Sequence, residues 1–558
     1  MADTVSRIYS NFRGVDFRGE EINLVRSPDS LNVWKDYKET ESIRTRPGMA
    51  LKEAFDETVY GIFFYKDFLL VHSGTKLYKL AGGVKSALYD SLNEAASDSF
   101  VYEGVWYFKD GKHYLQYDGA TIKEVEGYVP TTSIARKPSG GGTVYEDVNM
   151  LNGRRINSFL ADGMSFDFVL DSMNIDTDFA PIVKVDDKVV SGYTVDYAAG
   201  KISFIKAPDA PKTDGQDNVT VEFRKTITKY RDSILGCTLL QVFDNRVFFS
   251  GNKDYPNFVW HCSLDDPTYV SDLDYYREGL DTAQVKGMVA GNNALWVFRE
   301  PSDANTNVFY HTPTLDDQYG KIYPSSHSSV TIGCVGKAIN YGDDIIFFSE
   351  RGMEGISGDV TTEQAIAHRS TCVDRKLIAE SNYKNMVLAE WEGYLLVFID
   401  NHAYLADSRT AFTNEGHIEY EWWYWCLPEA ITSAKVNDGI LYVGTASGVY
   451  TFTDFDADIE SYWTTPLDKF NRPNRQKTTN KKSCTVEAKG KEIHVYAKTN
   501  RDADFELLDT FADVTDAFNC RIKKKKFKDL QLKFYSPKRF SLESATLEVF
   551  TGGYLKNL

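Results

Sequence analysis

The chain has 558 residues, of which 42% are hydrophobic and 26% charged, with 34 Tyr, 34 Phe and 9 Trp. That length suits several domains or one large repeat architecture, and no apolar run is long enough to cross a bilayer. A formal net charge of -17 excludes general coating of nucleic acid, which needs a basic footprint to displace counterions. An acidic wall would instead let a polyanion slide past without sticking.

Residues 1–50 lack periodicity and are rich in Arg, Asp and Asn, as in Asn11-Phe12-Arg13-Gly14-Val15-Asp16. They are expected to form an extended docking arm, ordered only against something else. The first residues, Met1 to Arg7, hold no apolar core of the kind a signal peptide carries.

From residue 59 a unit recurs: a polar or Gly-containing turn, a run of β-branched and aromatic residues, a second turn and another short strand. Copies lie at 59–80, 99–119, 239–251, 289–298, 338–349, 387–398 and 434–444. The last five begin about 45–50 residues apart, within the range of propeller blades. The expected fold is all-β, a propeller of about seven blades with two further β modules.

Residues 51–137 are expected to give the first blades. The repeat breaks over 138–228, where Pro138-Ser139-Gly140-Gly141-Gly142-Thr143 reads as a linker. Alternating runs such as Lys201-Ile202-Ser203-Phe204 and Val219-Thr220-Val221-Glu222-Phe223 then predict a small inserted β-sandwich. Blades resume over 229–460. Residues 461–558, with short strands between Lys- and Asn-rich stretches, predict a C-terminal β-sandwich. No helical period is convincing anywhere.

The residues that could carry chemistry are scattered. Seven cysteines without a CxxC pair argue against a disulfide scaffold and for folding in a reducing cytoplasm. Nine histidines form no metal spacing, and His261 and Cys262, adjacent in a strand, point to opposite faces. The pairs Asp186-Asp187, Asp265-Asp266 and Asp343-Asp344 read as turn residues, where Asp bonds the local backbone. Lys523-Lys524-Lys525-Lys526 reads as a solvated face. Within Glu419-Tyr420-Glu421-Trp422-Trp423-Tyr424-Trp425, Glu421, Trp423 and Trp425 share one strand face and Trp422 and Tyr424 the other, as expected of core packing. No catalytic, cofactor-binding or metal-binding residue is assigned, and no enzyme activity is expected.

Several phrases carry a resemblance. Ser27-Pro28-Asp29-Ser30-Leu31-Asn32, then Arg44-Thr45-Arg46-Pro47-Gly48, resembles the N-terminal arm of bacteriophage structural propellers of the tail-nozzle or packaged-DNA-stabilisation type. Similar blade phrases are Ser250-Gly251-Asn252-Lys253-Asp254-Tyr255-Pro256-Asn257, Asp265-Asp266-Pro267-Thr268-Tyr269, and Ile332-Gly333-Cys334-Val335 with Phe348-Ser349-Glu350-Arg351-Gly352-Met353. Trp463-Thr464-Thr465-Pro466-Leu467-Asp468 is similar at the propeller exit, and the segment from Val195 to Pro208 looks like a β-module of phage tail adhesins and adaptors.

The resemblance implies a virion protein made in the host cytoplasm. Identical subunits, six or twelve, would form a ring near the portal, a nozzle, hub or stopper. Portal, adaptor and tail proteins would be neighbours, and viral DNA would pass transiently, with no membrane span and no cofactor. The alternative read from the residues is a carbohydrate-binding or glycoside-hydrolysing propeller at a host surface. It would need aromatic faces exposed beside two carboxylates across a cleft.

Overall fold

The computed structural model describes residues 3–38, 42–302, 306–317, 320–328, 331–356, 366–414, 417–453 and 457–554, the side chains of 480–483 excepted. Met1 and Ala2, the start of the segment read for a signal peptide, lie outside them. The chain divides into two compact units, residues 1–87 with 333–558, and residues 88–332.

Seven four-stranded sheets occur among the described residues, beginning with Val59–Tyr65, Asp98–Tyr102, Leu239–Phe243, Val285–Gly291, Ala338–Tyr341, Val387–Trp391 and Ser433–Asn437. The first two strands of each sheet are joined by a tight turn. Glu103-Gly104, Asp244-Asn245, Asn292-Asn293, Glu392-Gly393 and Asp438-Gly439 all pair two positive φ angles, which a two-residue type I′ hairpin requires and which Asn, Asp and Gly adopt most readily. In the first unit the opening strands Val387–Trp391, Ser433–Asn437 and Val59–Tyr65 lie side by side in that order. In the second, Asp98–Tyr102, Leu239–Phe243 and Val285–Gly291 do the same. Opening strands set side by side, with each sheet running outward from them, make the fold a β-propeller.

The last sheet shows how the repeat is completed. Its strands Ser433–Asn437, Ile440–Gly444 and Gly448–Thr453 take their fourth partner, Gly48–Ala54, from the other end of the chain. The rest of the N-terminal segment is built in as well. Asp3–Tyr9 pairs with Phe540–Tyr554 from Asp3↔Thr551 to Tyr9↔Ala545. Ser30–Leu31 pairs with Ser461–Thr464, and Ile43–Thr45 with Phe540–Tyr554. The described residues of the arm expected over 1–50 are therefore ordered on their own chain. Their backbone donors find partners in strand edges that would otherwise be open, and Phe12, Val15, Val33 and Trp34 are buried.

The C-terminal module is one sheet around the 25-residue strand Arg475–Thr499, which pairs with Phe540–Tyr554 along one edge and with Glu506–Val514, Ala517–Cys520, Lys525–Phe527 and Leu530–Ser536 elsewhere. Its inner face, including Val486, Ile493, Val495, Leu532 and Leu547, shares a core with Trp34, Trp391, Trp423 and Trp425.

The inserted β-sandwich consists of a six-stranded and a three-stranded sheet around Phe159, Phe168, Val183, Ile202, Val221 and Phe223. It starts earlier than the composition suggests, because Thr131–Arg136 pairs in parallel with Arg154–Phe159 inside it. The stretch expected as a linker is a turn within this module: Gly140, Gly141 and Gly142 all have positive φ, and the Gly140 amide donates to the Lys137 carbonyl at 2.8 Å.

Candidate functional site

Three kinds of polar arrangement could carry chemistry, and each is built from residues the fold has placed for a local reason. The first is the seam between the arm and the strand His417–Cys426. Gly14 has φ +105, and a Cβ there would collide with the Trp422 carbonyl, so glycine lets the two backbones approach. Val15 then donates to the Trp422 carbonyl at 2.6 Å, and Phe17 to that of Cys372 at 2.8 Å. This approach delivers Arg26 to Glu421, Nε to Oε2 and Nη2 to Oε1, both at 2.8 Å. Arg18 forks onto Asp16 at 2.9 and 2.7 Å. Burial pushes the Glu421 carboxyl up, and the Arg26 fork opposes that push. The fork is the reason a carboxylate can be buried between Tyr420 and Trp422 in this strand at all.

The second arrangement looks catalytic in outline. Ser370, His368 and Asp374 lie together, with His368 Nε2 2.6 Å from Asp374 and Nδ1 3.3 Å from Glu354. Burial disfavours the imidazolium, yet the hydrogen bonds to Asp374 and Glu354 outweigh it and raise the His368 pKa to about 9. A ring held cationic between two carboxylates cannot accept a proton from serine. Ser370 Oγ instead donates to Asp374 at 2.5 Å and accepts from the Met353 amide at 2.8 Å. The cluster clamps a strand, a turn and a short helix.

The third is open. A cleft of about 710 Å³ lies between the arm and the hairpin formed by His402–Asn414 and His417–Cys426. Its cations are Arg13, Arg18, Arg26 and Lys35, its aromatic rings Phe12, Tyr37, Phe412 and Trp423, and its amides Asn11, Asn23 and Asn414; no carboxylate lines it among the described residues. Arg13 and Arg18 have side chains 49% and 44% exposed, and Arg26 stacks 3.9 Å from the centre of the Phe412 ring. Trp423 is buried and its indole N–H has no acceptor. Another cleft, about 640 Å³, mixes charges of both signs: Arg44, Lys489, Lys491, Lys538 and Arg539 with Asp458 and Asp513.

The residues singled out from sequence take structural places. Trp422, Trp423 and Trp425 are 0–1% exposed, so none offers a face to a sugar. Trp423 and Trp425 enter one core and Trp422 and Tyr424 the other. Asp186 and Asp187 both have positive φ at a turn, Asp266 bonds the Thr268 amide and hydroxyl, and Asp344 accepts from Arg369 at 2.8 Å and from Tyr420. His261 bonds the Cys262 carbonyl at 3.0 Å, and burial lowers its pKa to about 4. Lys524 pairs with Glu506. Among the described residues, no three or more His, Cys, Asp or Glu side chains are grouped to hold a metal ion.

Sequence reasoning missed Arg13, Arg18, Arg26 and Lys35. A signal existed: Glu421, alternating with tryptophans on a buried face, demands a cation, and the arm concentrates arginine in an otherwise acidic chain.

No family model and no curated protein matches the chain. Among solved structures it is similar to YCF48 bound to D1 peptide, at 6% identity over 74% of this chain and 97% of that one, TM-score 0.34. It is also similar to BamB from Moraxella catarrhalis, at 12% identity over 72% and 97%, TM-score 0.31. A third is PorZ, a bacterial surface component of the type-IX secretion system of Porphyromonas gingivalis, at 10% identity over 89% and 82%, TM-score 0.26.

Proposed function

We propose that this chain is a structural protein of a tailed-phage virion, a subunit of a ring near the portal that retains packaged DNA and conducts it during ejection. In this reading the seven sheets close into seven blades. The ring is made of identical subunits, six or twelve, and the acidic balance makes a wall that DNA does not stick to.

The observation that carries the reading is the weave of the N-terminal segment. Residues 3–54 supply strands both to the C-terminal sheet and to the last propeller sheet. Those two modules therefore cannot separate without breaking strand pairs at both ends of the segment. Such a part suits a wall that must hold its shape under load, and the one cluster with a catalytic outline, at Ser370, His368 and Asp374, is likewise spent on bracing. The arm phrases from Ser27 and from Arg44 that resemble phage propellers lie within this weave.

Electron microscopy and mass photometry of the purified chain, alone and with a portal ring, test the reading. Closed rings of six or twelve copies, or capture of the chain at one end of the portal, are expected. A chain that stays monomeric and unbound to the portal at micromolar concentration overturns it.

A further inference from the structure

We infer that the cleft between the arm and the 402–426 hairpin binds a small organic phosphate that carries a flat ring, with the chemistry of a nucleoside monophosphate. Its volume of about 710 Å³ lies within the range of small-molecule sites. Arg26 is occupied by Glu421 and Arg18 gives two of its N–H groups to Asp16. Arg13 approaches Glu421 only to 4.0 Å, through Nη1, so an incoming phosphate meets Lys35 and the outer N–H groups of Arg13 first, with the remaining N–H groups of Arg18 behind them. No described lining carboxylate repels it.

The rings favour more than a bare anion. Tyr37 is exposed and Phe412 half-buried in the same space as the cations, and flat bases stack on such faces and on guanidinium planes.

Calorimetric titration of the full chain with AMP, ribose 5-phosphate and inorganic phosphate tests this. One AMP per chain is expected, bound at least ten-fold more tightly than either ring-free probe. The double variant Arg13→Ala, Lys35→Ala should weaken AMP at least ten-fold with the melting temperature unchanged. Thr413→Glu, which adds a carboxylate to an exposed lining position, should weaken it too with every cation in place. Absence of saturable AMP binding, equal binding of the three probes, or affinity unmoved by both variants overturns the site.

A separate observation carries a second inference. Cys484 and Cys520 stand directly opposite each other across the antiparallel strands Arg475–Thr499 and Ala517–Cys520. Both are free thiols, fully buried in one core. Opposed residues in such a pair have Cα atoms about 4.5–5.5 Å apart, inside the window of about 4.4–6.8 Å that a disulfide spans. No other two cysteines share a register position among the described strand pairs. We propose that this pair is a disulfide site that closes once the chain leaves a reducing compartment.

The oxidant is a low-molecular-weight disulfide. Ala517–Cys520 is a four-residue strand whose one strand partner is Arg475–Thr499 among the described residues, and its opening exposes the buried thiols: one cysteine thiolate attacks the oxidant and expels one thiol, and the second cysteine then attacks the mixed disulfide and expels the other. The Sγ–Sγ bond forms, two electrons pass to the oxidant, and two small thiols leave with the two protons. Native protein incubated with glutathione disulfide, then denatured and alkylated, should show five reactive thiols where reduced protein shows seven, a mass lower by two hydrogens, and a linked Cys484–Cys520 peptide. Cys484→Ala and Cys520→Ala should each abolish the link. Seven thiols remaining after overnight oxidation, or a link mapped to any other pair, overturns the assignment.

Discussion

The C-terminal sheet and the inserted sandwich are both all-β additions to a propeller, but they are fastened in opposite ways. The first is fastened by backbone: the N-terminal segment runs strand pairs into the C-terminal sheet and into the last propeller sheet, and a buried Arg26–Glu421 fork pins its middle. The second is tied to its neighbouring sheet by fewer backbone bonds, the Tyr128 amide to Thr268, the Met150 amide to Val270 and the Asp272 amide to Val148, and one buried side chain gathers four more. Asn149 is buried; its amide donates to the Tyr128 and Thr268 carbonyls, both at 2.9 Å, and its oxygen accepts from Leu151 and Val270 at 3.0 and 3.1 Å. Strand pairing spreads the attachment over many bonds, whereas a side-chain hub gathers four of the insertion's ties on one residue. The second design is easier to evolve as an insertion and easier to undo with one mutation.

Breaking the woven attachment should have the largest effect. Glu421→Ala leaves the Arg26 guanidinium buried with only the more distant Asp16, 3.9 Å away, at a cost of about 3 kcal/mol. Denaturant unfolding should show that loss, and the double variant with Arg26→Ala should recover part of it. If Glu421→Ala and Arg26→Ala cost no more than 1 kcal/mol each, the fork is not the pin.

Asn149→Ala should come next, at roughly 2–3 kcal/mol, since it strips buried carbonyl and amide groups of their partner. The readout is local. Limited proteolysis should cut near residues 125–153 or 225–231 while the C-terminal unit stays intact. Cleavage spread evenly over the chain would show that Asn149 is not a hub.

Acid and alkali should separate the two attachments. Near the arm, His368 has its pKa raised to about 9, from a usual value of 6.5, by Asp374 and Glu354 against the opposing effect of burial. The folded state holds that proton more tightly, so its stabilisation is fully present below pH 6.5 and is lost as pH rises towards 9. It amounts to roughly 2 kcal/mol after allowance for partial exposure. In the sheet that carries the insertion, burial lowers the His261 pKa to about 4. There the stability is present above pH 6.5 and is lost as pH falls towards 4. Hydrogen exchange followed against pH should show Phe17 and Cys372 loosening in alkali and the strand Phe258–His261 in acid. His368→Gln should flatten the alkaline limb only.

How much of this was legible beforehand depends on whether the signal is periodic. The hairpin turns could be read because Asp438-Gly439 and Asn292-Asn293 announce a type I′ geometry in two letters. The tryptophan run could be assigned to two cores because a strand alternates. The arm could not be placed, because its pairing partners lie hundreds of residues away and nothing in Asp3–Tyr9 names Phe540–Tyr554 as its mate. The boundary of the insertion was misread for a related reason. Three consecutive glycines suggest a linker by composition, and only the parallel pairing of Thr131–Arg136 with Arg154–Phe159 shows that they turn inside a module. The cleft escaped notice because its cations come from a segment without periodicity.

The smallest effect sharpens the comparison at the level of one turn. Gly439 has φ +75, and a Cβ added there meets nothing within 4 Å. Gly439→Ala therefore isolates the backbone cost of a left-handed residue, about 1 kcal/mol, in the sheet that the arm's strand Gly48–Ala54 completes. Gly14 is its counterpart, with positive φ and the Trp422 carbonyl in the way. Thermal melts of Gly439→Ala and Gly14→Ala should thus differ sharply, the first lowering the melting temperature by only a few degrees and the second releasing the seam. Equal shifts would mean that the close approach of arm to strand adds nothing to the cost of the dihedral, and the account of the seam would fall with it.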